Sequence, residues 1–108
     1  MTNTKINTEE LYKLINMLIA QGIPFELSEH MGVPHIEYPS KKNRICSVIC
    51  NEVSYGHEAG LLEIFGLLTK EELEYDEVIG FLTAYNVFER ISTHYHSNQN
   101  IIKELVCQ

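Results

Sequence analysis

Leu11, Leu14, Ile15 and Leu18 recur three and four residues apart, with polar Lys13 and Asn16 on the other side. That period is helical, and it predicts a helix over residues 8–21. Asn7 and Glu10 have the spacing of a capping box, and Ile6 with Leu11 that of a hydrophobic staple around it. Gly22 and Pro24 supply the stop.

The period then shortens to two. "PFELSEH" and "VPHIEYP" flank Met31-Gly32, which predicts a tight hairpin. With His30 opposite Val33, Leu27 faces Ile36 and Phe25 faces Tyr38, so the apolar residues share a face. The same register sets Glu26 against Glu37, a mild repulsion that Arg44 on a third strand, "RICSVICN", is placed to relieve. Cys46, Val48 and Cys50 fall on one face of that strand and read as small buried hydrophobes. The intervening "PSKKN" link is polar and reads as solvated.

After Asn51 the period lengthens again. Leu61, Ile64, Phe65 and Leu68 share a helical face, which predicts a helix after the glycine bend. Thr69 and Glu72 form a second capping box that opens a short acidic helical turn. Val78–Leu82 reads equally as a strand or a buried loop. Thr83 caps a last helix whose apolar face is Ala84, Val87, Phe88, Ile91 and Tyr95. "HSNQN" breaks it, and an apolar tail, "IIKELVC", follows. Most aromatics, Tyr55, Phe65 and Phe81 among them, fall at core spacing, whereas Tyr75 and Tyr85 stand off the apolar stripes and are expected at the surface. The order α-β-β-β-α-α predicts an α+β fold: an N-terminal helix, a three-stranded antiparallel sheet, and C-terminal helices packed against the sheet. One domain is expected over residues 1–108, with a sheet-forming half at about 1–53, a helical acidic half at about 54–97 and a short tail at 98–108.

Charge changes the picture more than composition does. The formal net charge of −7 is carried by one block: 52–77 holds eight acids and only Lys70, while acids and bases balance on either side. Such a block disfavours contact with nucleic-acid phosphates and suits a basic protein partner. Three cysteines, an odd count, point to free thiols and a reducing compartment. With no signal-like leader and no apolar run long enough for a span, a cytoplasmic protein without membrane association is expected.

Four constellations could carry chemistry. The loop Gly56-His57-Glu58-Ala59-Gly60 follows a strand and precedes a helical pattern, the arrangement that cradles phosphates. It lacks the Walker and G-x-G-x-x-G spacings, and Glu52, Glu58 and Glu63 would crowd an anion unless Lys41, Lys42 or Arg44 folds beside it. Gly56, His57, Glu58 and Gly60 are therefore the candidates for a small-molecule or nucleotide loop, against the plainer reading of a bend. Cys46, Cys50, His57, His94 and His96 lack zinc-ligand spacing, so no metal and no cofactor is expected. A mid-strand cysteine among Ile and Val is a poor nucleophile, and Ser54 has no nucleophile elbow, so no catalytic residue is assigned. The acidic stretch Glu71, Glu72, Glu74, Tyr75, Asp76 and Glu77 is the candidate partner surface, against the plainer reading of a solvated face.

"SYG", "GLLEIFGLLTKEE", the "VIGFLT" turn and "VFERI" give residues 54–95 a resemblance to small uncharacterised proteins encoded by phages and prophages of Gram-positive bacteria. The resemblance implies an accessory phage protein working in bacterial cytoplasm. Proteins of that kind often bind and redirect a host protein, antiviral nucleases included. The expectation is a non-enzymatic acidic protein that binds a host or phage protein, with homodimerisation through its apolar tail and open strand edge.

Overall fold

The computed structural model describes residues 7–30, 32–75 and 77–106, and for His30 the backbone only. Helix α1 spans Glu9–Ala20, and strands β1 (Glu26–His30), β2 (Val33–Tyr38) and β3 (Cys46–Ile49) follow. A 3-10 turn at His57–Ala59 leads into β4 (Leu62–Phe65). Then come α2 (Lys70–Tyr75), β5 (Val78–Leu82), α3 (Ala84–Ser97) and α4 (Gln99–Val106). The fold is α+β, as predicted, but the sheet has five strands where three were expected. Their order is β1-β2-β3-β4-β5, each strand antiparallel to the next in sequence.

The hairpin register is the predicted one, with His30 opposite Val33, Leu27 opposite Ile36 and Glu26 opposite Glu37. Ile36, Tyr38, Cys46, Val48, Leu62 and Ile64 alternate onto one face and are buried. Leu11, Leu14 and Leu18 of α1, Val87 and Ile91 of α3, and Ile102 of α4 join them in the core. Burying one such side chain contributes about 1.5–3 kcal/mol. On the other face Glu37 takes a hydrogen bond of 3.0 Å from the Ser28 hydroxyl. Arg44 does sit beside Glu37, at 3.6 Å, but it does so from the loop before β3 rather than from the strand.

Three predicted elements are corrected. The helix expected at Leu61–Leu68 is strand β4, because Gly60 (φ 74°) and Gly66 (φ 100°) end any helical path on both sides. Of the five residues between them, Leu62–Phe65 form the strand, with Leu62 and Ile64 pointing inward and Phe65 pointing out. Val78–Leu82 resolves as strand β5, so the expected helical half contains two strands. The apolar tail is helix α4, with the Ile102 amide bonded to the Asn98 carbonyl at 2.9 Å and Ile102 in the core.

Capping differs at the first helix as well. Asn7 accepts from the Glu9 amide at 3.0 Å, but Glu10 does not complete a box with it. Its carboxylate instead accepts from the Ala84 amide at 2.8 Å, so a side chain of α1 caps α3. Ile6, the other half of the staple, lies outside the described residues. Thr83 and Asn86 form a full capping box on α3, and Thr69 with Glu72 forms the predicted one on α2.

Candidate functional site

The glycine loop closes on itself through backbone hydrogen bonds. Ala59 and Leu61 donate to the Gly56 carbonyl at 3.0 and 2.9 Å, and Gly60 donates to His57 at 2.9 Å. The His57 ring bonds the Ser54 carbonyl at 2.6 Å, and Glu58 is exposed. Both glycines answer to close packing: a Cβ on Gly56 would lie 2.8 Å from the Phe81 amide nitrogen, and one on Gly60 2.7 Å from the Asn7 side chain. The basic "KKNR" turn joins β2 to β3, whereas the loop joins β3 to β4, so the two sit at opposite ends of β3. Within that turn the Lys41 backbone amide donates to Glu26 Oε1 at 2.7 Å, and Asn43 Nδ2 donates to the Leu105 carbonyl at 3.1 Å. The structure does not bring a basic group to this loop from that turn.

The acidic stretch divides. Glu72 is half-buried and bound to Arg90 of α3 through two hydrogen bonds, 2.9 Å to Nη1 and 2.8 Å to Nη2. The Arg90 guanidinium holds the Glu72 carboxyl down at about 2, well below its ordinary 4.5. Glu72 thus anchors α2 and is not a free member of the predicted surface. Glu71, Glu74 and Glu77 are exposed, as is Tyr75 at 88%, while Asp76 lies outside the described residues. No side chain of α2 is buried. Leu73 is exposed too, and with Phe65, Leu67, Leu68 and Glu77 it lines a hollow of about 450 Å³. The expectation that Tyr55, Phe65 and Phe81 fill the core is corrected: all three are exposed, since each lies on a strand edge, an outer face or a loop.

A larger groove, about 740 Å³, lies on the other side of the Gly66–Thr69 segment. Its polar wall is one stripe of α3, Asn86, Glu89, Arg90, Thr93 and His94, spaced three and four apart. Leu67, Leu68 and Leu82 form the apolar wall. Leu67 holds φ at 55°, a strained value for a branched side chain, and the Arg90 guanidinium fixes its carbonyl at 2.9 Å. At the inner end the buried Tyr38 hydroxyl meets His94 Nδ1 at 2.9 Å. Tyr38 has no second acceptor among the described residues, so its O–H donates and leaves the proton of a neutral His94 on Nε2. Burial lowers the His94 pKa and raises that of Tyr38, which keeps both groups uncharged near neutrality.

The sequence reading missed this groove. The signal was present as a second, polar stripe beside the apolar stripe of α3, but an amphipathic helix normally turns such a stripe to water. Among the described residues no three His, Cys, Asp or Glu side chains assemble as a metal site, and no helix is long and apolar enough to cross a membrane. Cys46 and Cys50 are buried free thiols, with burial pushing Cys46 up to about 12. Comparison with protein-family models, curated proteins and solved structures finds no match.

Proposed function

We propose that the chain is a non-enzymatic interaction protein whose α2 face captures a basic protein segment. The observation that carries this reading is a helix contributing nothing to the core, held out by the Glu72–Arg90 pair. It offers Leu73 and Tyr75 to solvent beside the exposed Glu71 and Glu74. Apolar side chains in an acidic setting suit a partner with apolar anchors flanked by Lys or Arg. The resemblance of residues 54–95 to phage and prophage proteins supports a host or phage protein as the target in bacterial cytoplasm, host-defence enzymes included. The terminal strands β1 and β5 suit self-association as well, and a strictly monomeric protein in light scattering at micromolar concentration would remove that element.

The test is affinity capture from a bacterial lysate with wild-type chain and with a Glu71→Lys/Leu73→Ser/Glu74→Lys variant. Glu72 is left in place so that α2 stays anchored. A partner held by the wild type and lost by the variant is the expected result; equal capture by both refutes the reading.

A further inference from the structure

The groove between α3 and the Gly66–Thr69 segment is distinct from the α2 face, with which it shares only Leu67 and Leu68 among the residues lining the smaller hollow. Its volume of about 740 Å³ lies in the range of small-molecule sites. The polar wall presents donors. Asn86 uses its Oδ1 on the Thr83 amide and hydroxyl, at 3.1 and 2.8 Å, and its Nδ2 has no partner among the described residues. His94 commits Nδ1 to Tyr38, which leaves the Nε2–H on the opposite edge of the ring. These donors face Leu67, Leu68 and Leu82 across the groove.

Charge narrows the ligand further. Arg90 is the groove's one formal cation among its lining residues, and Glu72 already neutralises it through two hydrogen bonds. Glu89 adds a negative charge to the wall, so an anion meets no net attraction. A cation would find one exposed carboxylate, Glu89, among the lining residues, too little to replace its water. Arg90 also fixes the strained Leu67 carbonyl, so the apolar wall stands in place before any ligand arrives.

We propose that this groove binds a small uncharged molecule with an amide or carbonyl edge on an apolar, ring-sized body. The acceptor edge lies along Asn86 and His94, and the body packs on Leu67, Leu68 and Leu82.

Three probes of one shape and different charge test this: benzamide, benzoate and benzamidine, each titrated into the ¹⁵N-labelled chain. Benzamide is expected to shift the amides of Leu67, Leu82, Thr93 and His94 with millimolar affinity, and to bind about fivefold tighter or more than either charged probe. Asn86→Asp keeps the capping acceptor while removing the donor, so the helix start is preserved. That variant and His94→Phe should each weaken benzamide about threefold or more. The proposal is overturned if benzamide produces no localised shifts up to about 10 mM. It is equally overturned by a charged probe binding as well, or by unchanged benzamide affinity in Asn86→Asp.

Discussion

Arg90 grips Glu72 with both terminal nitrogens, at 2.9 and 2.8 Å, and the first of these nitrogens also bonds the Leu67 carbonyl. One guanidinium therefore ties α3 to α2 and to the segment between β4 and α2. Both side chains keep about a fifth of their surface in water, which discounts the pair relative to a fully buried one. Arg90→Ala should cost about 2 kcal/mol, seen as a melting temperature lowered by about 10 °C. The Glu72 carboxyl is depressed to about 2, so its contribution is present above 4.5 and lost as pH falls toward 2. In Arg90→Ala the acid-induced loss over that window should shrink, which denaturation at pH 5 and pH 3 measures.

His94 predicts a second pH dependence of different origin. Its folded pKa lies below the ordinary 6.5 because burial disfavours the imidazolium. The unfolded chain therefore takes up the proton first, and this group's stabilising effect is intact above 6.5 and declines as pH falls below it. Replacing His94 with Gln should flatten the stability profile between pH 7 and pH 5. Tyr38→Phe, which strips the hydroxyl from His94, should cost about 1 kcal/mol at pH 7.

Two glycines should fail for different reasons. A Cβ on Gly80 would overlap the Tyr55 side chain and come within 2.7 Å of its carbonyl oxygen, so Gly80→Ala must push β5 off the glycine loop. The expected cost is about 2–3 kcal/mol. Gly22 has open space around the same position but a φ of 66°, and Gly22→Ala should cost only about 1 kcal/mol, from backbone strain alone. Chemical denaturation of the two variants separates the causes.

Cys46 and Cys50 should be unreactive in the native state. In a Cys107→Ser background, Ellman's reagent is expected to label neither thiol until denaturant is added. The rate should follow unfolding, because both side chains are buried and their thiolates disfavoured.

The sequence was most legible where one period held without interruption. In α1, Leu11 to Leu18 kept to one helical stripe, and in the hairpin Leu27 and Ile36 agreed with a single register. It misled at "GLLEIFGLL", where Leu61, Ile64 and Phe65 satisfy a helical period as well as Leu62 and Ile64 satisfy a strand. Only the two positive-φ glycines decide between them, and their conformation is a property of the folded chain. The Glu10 cap on Ala84 and the Arg90 grip on Glu72 were equally hidden, since each joins residues far apart in sequence. Helical spacing did anticipate the exposure of Tyr75 and Tyr85.

The strand order has a consequence for synthesis on the ribosome. Every strand pairs with its immediate successor, so the sheet can zip hairpin by hairpin as the chain emerges. The helices do not share that convenience. Helix α1 comes first, yet its packing partner α3 is made only after the last strand, and the Ala84 amide that Glu10 caps arrives with it. Until then Val48, Leu62 and Ile64 form an apolar sheet surface without α3 above it, and the nascent chain has to be kept from its neighbours until that helix is released.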